Sequence, residues 1–198
     1  MDPESRGGAG ESRPRERADA ARNRRAILDA TAALLAEHGA GAVTMERVAA
    51  AAGVGKGTVF HRFGSRAGLL DEMISEMART LRQAVTDGPP PLGPGAPPGD
   101  RLRAFLDAFA HMIADNVELV TAYRSMPPHP QRDEMHAFWG AHLTALLAEV
   151  RPDLDAEIVG SLLLAPLGGD LLPQMVRAGQ RERLFAAYRQ VVDSILPR

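Results

Sequence analysis

Apolar residues recur along this chain at spacings of three and four, and no stretch alternates with period two. Such spacing gathers apolar side chains onto one face of a helix, whereas a half-buried strand needs strict alternation. The chain is therefore expected to be all-α. Ile27, Thr31, Leu34, Leu35 and His38 share one face, and Gly39 ends that helix. Leu69, Leu70, Met73, Ile74, Met77, Leu81 and Val85 form a second stripe after Ser65, an N-cap residue type. Asp100 is placed to cap a helix carrying Leu102, Phe105, Leu106, Phe109, Met112, Ile113 and Val120. Met135, Phe138, Trp139, His142, Leu143, Leu146, Leu147 and Val150 form a doubled stripe. Residues 154–178 are strongly apolar but contain Pro166 and Pro173, which predicts a kinked or broken helix. Leu184, Phe185, Tyr188, Val191, Val192, Ile195 and Leu196 mark a last helix.

Two stretches interrupt this pattern. Residues 1–20 are rich in Arg, Gly, Pro and Glu with almost nothing large and apolar, and read as a disordered arginine-rich tail. Gly88 to Gly99 is a Pro/Gly tract that reads as a linker or long loop. The 198 residues, 45% of them hydrophobic, suffice for one large helical domain or two small ones with a real core. No run of 18 apolar residues predicts a membrane span, and the N-terminus lacks the apolar centre of a signal peptide. Cysteine is absent, which excludes disulfides and thiolate catalysis and suits a reducing cytoplasm. The net charge of −2 conceals an asymmetry: residues 1–66 carry +3 and the remainder −5. A basic front on an acidic body fits a small DNA reader, although a difference of this size also arises by chance.

The most informative segment runs from Thr44 to Phe63. Thr44 is a good N-cap, and Glu46 suits the positive end of a helix dipole. The Ala-rich helix that follows lets a second helix cross closely. Gly53 supplies the left-handed residue that ends it, Val54 plugs the corner, Gly55 starts the next helix, and Val59 faces inward. A small Ala49, then Gly53, then a β-branched Val59 is the spacing two short helices need around a tight turn. The second helix can then enter a major groove with its N-terminal residues. An ordinary helical hairpin in a core has the same spacing.

Residues 22–74 resemble the DNA-binding domain of the TetR family of regulators. The resemblance is carried by Arg25-Ala-Ile-Leu-Asp-Ala30, His38-Gly39, Thr44, Val48-Ala49 and Ala52-Gly53-Val54. It continues through Gly57-Thr-Val-Phe-His-Arg-Phe63, Ser65-Arg66 and Leu69-Leu70. It implies a three-helix head over residues 21–65, then a connecting helix and a helical ligand-binding and dimerisation body over 66–198. The implied function is that of a repressor released from its operator by a small effector. Ala165-Pro166-Leu167 followed by Leu171-Leu172 resembles part of the dimerisation region of some members. Several positions depart from the usual pattern. Gly55 stands for a capping Ser, at a cost of a few tenths of a kcal/mol. Phe60 stands for Tyr and loses a phenolic hydrogen bond to phosphate, Arg66 stands for Lys, and Ala67-Gly68 makes a weak first turn.

Within that frame, Lys56 and Thr58 are expected near base edges or phosphates, with Gly57 allowing close approach and His61 one turn further on. Thr44 and Arg47 start the supporting helix, where backbone amides meet phosphate, and Arg66 is expected to hold a phosphate. The arginines of the tail (Arg13, Arg15, Arg17, Arg22, Arg24 and Arg25) either follow the DNA backbone or are simply solvated. One head reads few base pairs, so a homodimer on a palindromic double-stranded operator is expected. The stripes in 154–178 and 182–196 would pair between subunits as a four-helix bundle, unless both faces pack within the monomer.

The body is expected to hold a pocket lined by Phe105, Phe109, Met112, Tyr123, Met126, Phe138, Trp139 and His142, suited to a hydrophobic or aromatic effector. Each of these also suits plain core packing. His111, His129, His136 and His142 are not spaced as a metal site, so no metal or cofactor is expected. No nucleophile elbow or phosphate-cradling loop points to an enzyme. The competing reading is a regulator or scaffold controlled by a protein partner, with no small ligand; activation in place of repression would use the same head.

Overall fold

Helical periodicity becomes helical structure throughout the computed structural model, which describes residues 12–127 and 130–196. Among the described residues there is no strand. The chain divides into two compact units between Met73 and Ile74.

The N-terminal unit begins with α1 (Ser12–His38). Its inward stripe of Ile27, Leu28, Thr31 and Leu35 is buried. Thr31 is tolerated there because its hydroxyl donates to the Ile27 carbonyl one turn back, at 2.7 Å. At Gly39 φ is +73°, a left-handed stop that glycine alone adopts without strain. A 3₁₀ turn (Ala40–Ala42) leads to α2 (Met45–Ala52), α3 (Lys56–Phe63) and the start of α4 (Arg66–Asp87). Val43, Val48, Val59, Leu69 and Leu70 complete the core of this unit.

The tail expected over residues 1–20 is already helical from Ser12 onward. The segment from Ser12 to Arg25 has no large apolar residue to mark a helix face. Ala, Arg and Glu are strong helix formers without one, and a helix nucleated at Ile27–Leu35 extends backwards at little cost. Residues 1–11 and the side chains of Arg13, Arg15 and Arg17 lie outside the described residues.

The second unit comprises the rest of α4, then α5 (Pro98–Asp115), α6 (Val117–Arg124), α7 (Pro130–Val150), α8 (Ala156–Gly168), α9 (Leu171–Arg177) and α10 (Arg181–Ile195). α7 lies between α5 and α8, which explains its doubled stripe: Trp139, Leu143, Leu146 and Leu147 are all buried. α10 packs on α5, and the Tyr188 hydroxyl donates to the Leu163 carbonyl of α8 at 2.8 Å. Burial pushes that phenol above its ordinary pKa, so it stays a donor.

Three local details differ from the sequence reading. Asp100 is not the cap of α5. Pro97 holds that place and Pro98 opens the helix, where its missing N–H costs nothing. The helix expected from Leu102 to Val120 is two, because Asn116 turns its amide back onto the Met112 carbonyl at 2.8 Å and interrupts it. The apolar stretch over 154–178 breaks at Gly169-Asp170 and not at either proline; Pro166 rides in the last turn of α8 and Pro173 in the first turn of α9. The Pro/Gly tract between α4 and α5 is a folded loop within the second unit. Gly93 donates to the Pro89 carbonyl at 3.0 Å, and Leu92 packs on the core.

Candidate functional site

The turn between α2 and α3 is built by backbone requirements that few residue types meet. The Thr44 hydroxyl accepts from the Arg47 N–H at 3.2 Å and caps α2. Gly53 sits at φ +65°, ψ +29°. Its N–H donates to the Ala50 carbonyl, and that of Val54 donates to the Ala49 carbonyl at 3.0 Å. These two bonds close α2 as a Schellman motif. Gly55 is extended, and its carbonyl takes the N–H of Thr58 at 2.9 Å, so α3 starts without a side-chain cap. Val59 of α3 is fully buried, as are Val48 and Ala49 of α2, on which α3 packs. This is a helix-turn-helix.

With Val59 inward, Lys56, Gly57, Thr58 and His61 are exposed on α3, and Thr44 and Arg47 are exposed at the start of α2. Phe60 is also exposed, at 40%. The Lys56 ammonium pairs with the Glu46 carboxylate of α2 at 2.5 Å and lies 5.5 Å from the centre of the Phe60 ring. Its hydrogen bond holds Glu46 below the usual carboxylate range. The Glu46–Lys56 pair was not foreseen. Ten residues separate the two in sequence, and only the tight turn brings them together.

Arg66 differs from expectation. Its Nε donates to the Val43 carbonyl and its second guanidinium nitrogen to the Ala40 carbonyl, both at 2.9 Å. It is half-buried and ties the loop before α2 to the start of α4; a phosphate would have to compete with those carbonyls. Gly68 has a purpose that the sequence did not reveal: a Cβ there would lie 2.2 Å from the Phe63 carbonyl oxygen. Only glycine lets α4 begin so close to the end of α3. Ser65 caps that helix, its hydroxyl accepting from the Gly68 N–H at 3.1 Å. Of the tail arginines described, Arg22 pairs with Asp19, Arg24 with Glu72, and Arg25 with Asp29 at 3.0 Å.

The second unit contains a cavity of about 400 Å³ between α4, α5, α6, α7 and α8. Phe109, Met112, Tyr123 and Trp139, four of the eight residues expected, line it. Phe105 lies fully buried beneath, its ring centre 5.7 Å from that of Phe109 and 5.8 Å from that of Trp139. Phe138 instead lines a smaller cleft of about 270 Å³, with the Arg82 guanidinium 4.2 Å from its ring centre. Met126 contributes its carbonyl to Arg132, at 3.3 Å. His142 packs edge-on against Phe105, with ring centres 4.9 Å apart, and its buried Nε2 has no hydrogen-bond partner among the described residues. Burial, and secondly Arg101, holds its pKa below the ordinary imidazole value.

Sequence reading missed Arg124, Arg132, Met135, His136, Ser161 and Leu164, which also line the larger cavity. Met135 and His136 lie one turn before Trp139 on α7, so helical spacing alone pointed to them. His136 too is held below the ordinary imidazole value, first by burial and then by Arg132. The His111 Nδ1 donates to the Asp107 carbonyl at 2.8 Å and its ring packs on Phe185; His129 lies outside the described residues.

A second surface stands out in this unit. Ile158 (57% exposed) and Leu162 (66% exposed) lie one turn apart on the outer face of α8, and Val191 (52% exposed) on that of α10.

Residues 27–73 match the family described as bacterial regulatory proteins, tetR family. No curated protein matches the chain. Among solved structures, a Rhodococcus sp. protein assigned as a TetR-family transcriptional regulator is 20% identical with a TM-score of 0.67, over 89% of this chain and 100% of its own. NalD of Pseudomonas aeruginosa, the secondary repressor of the MexAB-OprM multidrug efflux pump, is 19% identical with a TM-score of 0.65, over 91% of this chain and 98% of its own. A TetR transcriptional regulator from Streptomyces coelicolor is 24% identical with a TM-score of 0.60, over 88% and 98%. At these identities the likeness is one of fold, but the family match falls on the helix-turn-helix itself. Residues 27–73 thus carry the DNA-binding domain of the bacterial regulatory proteins of the tetR family, on an all-helical chain whose fold is that of solved TetR-family regulators.

Proposed function

We propose that this protein is a transcriptional repressor that binds a palindromic operator as a homodimer and leaves it when a small apolar effector enters the cavity of the second unit. One observation carries the DNA-binding part: burial of Val59 turns Lys56, Gly57 and Thr58 together onto the exposed face at the start of α3. There Thr58 and Lys56 meet base edges and phosphates, and Thr44 and Arg47 meet the phosphate backbone with side chains and α2 amides. His61 adds a contact one turn on, and Arg66 acts as a positioning residue. NalD, a repressor of the same fold, supports repression over activation.

The bare apolar faces of α8 and α10 support dimerisation. Ile158, Leu162 and Val191 leave water when a second copy pairs there, each contributing on the order of 1 kcal/mol or more. Ile74 and Met77 of α4 belong to the second unit, while α4 begins at Arg66 in the first. An effector that displaces α4 at Ile74 shifts the head with it. A coupling of about 1–3 kcal/mol is enough for a 5- to 150-fold change in operator affinity. The presence of a cavity favours this effector reading over control by a protein partner alone.

The test is binding of the purified protein to the DNA flanking its own gene, against a random duplex at equal salt. Tighter, saturable binding that Lys56→Ala with Thr58→Ala abolishes is the expected result. Equal, salt-sensitive binding to both duplexes reduces the head to a non-specific binder.

A further inference from the structure

The cavity between α4, α5, α6, α7 and α8 is apolar over most of its wall, and its charged side chains are of one sign. Its lining includes Arg124 and Arg132 and no Asp or Glu. Arg132 donates to the carbonyls of Tyr123 at 2.9 Å, Met126 at 3.3 Å and Pro127 at 3.3 Å, and its guanidinium lies 4.7 Å from the centre of the Tyr123 ring. Those partners are all neutral. Its Nε is buried with no hydrogen-bond partner among the described residues. Arg124 donates to the Gly169 carbonyl at 3.0 Å and stands 3.7 Å from Asp170, whose side chain is 86% exposed and therefore screens it weakly. A guanidinium cannot shed its proton to escape burial. An uncompensated charge at the edge of an apolar cavity is costly, and a ligand that brings the opposite charge recovers that cost.

We propose that the effector is an amphipathic carboxylate, with an alkyl or aryl body against Met112, Met135 and Trp139 and a carboxylate held by Arg132 and Arg124. This inference rests on reading the cavity as the effector site. The volume of about 400 Å³ falls within the range of about 300–1,000 Å³ usual for small-ligand pockets. The Nε–H of Arg132 is a buried donor left over while Nη2 holds the three carbonyls of the turn between α6 and α7. The carboxylate takes that N–H, and Arg124 supplies the second charge. A cationic amphipath of equal length meets two like charges, and a neutral one leaves Arg132 without an acidic partner.

Trp139 is the only tryptophan of the chain and lies in the cavity wall, so its emission reports occupancy without a label. The full chain is titrated with decanoate, phenylbutyrate, decanol and decylamine. Decanoate or phenylbutyrate is expected to bind at least about tenfold more tightly than decanol and decylamine, as a charge-assisted hydrogen bond requires. The two carboxylates against each other decide between an alkyl and an aryl body. Arg132→Gln is expected to abolish the preference for carboxylate over decanol. Because Arg132 also holds three carbonyls, Arg124→Gln is measured beside it, and is expected to weaken carboxylate binding several-fold while leaving decanol unchanged. Binding of decanol or decylamine as tight as that of both carboxylates overturns the charge assignment and leaves the effector cavity standing. Failure of all four to change the Trp139 emission overturns both. Unchanged carboxylate preference in Arg124→Gln and in a folded Arg132→Gln also overturns the proposal.

Discussion

Around the turn of the first unit the decisive residues are small, and around the cavity of the second they are large. Gly53, by its left-handed backbone, and Gly68, by close approach, set the path from α2 through α3 to α4, and Val59 is the buried plug between them. In the second unit Phe105, Phe109, Trp139 and Phe138 pack in series, tilted or edge-on to one another, and leave a gap beside them. A reading head needs its exposed side chains at fixed positions, which backbone constraints supply. A sensor needs space, which is left where large side chains fill their surroundings incompletely. The two units should therefore fail in different ways.

The largest effect is expected from Phe105→Ala. Removing a fully buried ring should lower stability by about 3–5 kcal/mol, read as an earlier urea midpoint of Trp139 emission. DNA affinity per folded molecule should hold, and a parallel collapse of operator binding under native conditions would break the comparison. Gly68→Ala should come next, costing about 1–3 kcal/mol because the new methyl meets backbone and not a side chain that can turn away. Loss of far-UV ellipticity on heating, with Trp139 emission transiting later, is the expected signature. A third glycine sharpens the point. Nothing lies within 4 Å of a Cβ at Gly57, and its φ is helical. Gly57→Ala should raise stability by about 0.5–1 kcal/mol yet weaken operator binding, since close approach to DNA is lost; unaltered affinity would remove Gly57 from the interface.

The smallest effect concerns pH. His136 and His142 have folded pKa values below the ordinary imidazole value, chiefly through burial. In the window between the folded and unfolded values, the unfolded chain binds more protons, so stability rises with pH. Their neutral forms support the fold above the unfolded value, about 6.5, and that support is lost as pH falls through the folded values. The melting temperature should drop modestly on acidification from pH 7, and His142→Phe should flatten part of the slope. A variant with the unaltered slope would assign it to other groups.

Much of the first unit was legible because its requirements are local. A left-handed residue at position 53, a cap at Thr44 and an inward Val59 are each written in one residue and its near neighbours. The Glu46–Lys56 pair and the Arg66 clamp were not, since each joins positions that only a finished turn brings together. In the second unit the stripes disclosed which residues face inward but not which reach the cavity. Phe105 and Phe109 are neighbours on one helix face, yet one is sealed in the core and the other lines the gap.

The sequence by itself determined the helical class, the position of the helix-turn-helix and the side of α3 that faces out, because period and glycine geometry act within a few residues. Tertiary structure decided how far α1 extends, where the apolar stretch after residue 154 breaks, where the cavity lies, and that Arg132 and Arg124 line it without an acid. These depend on side chains from helices distant in sequence. What such a side chain touches is fixed only when the helices pack.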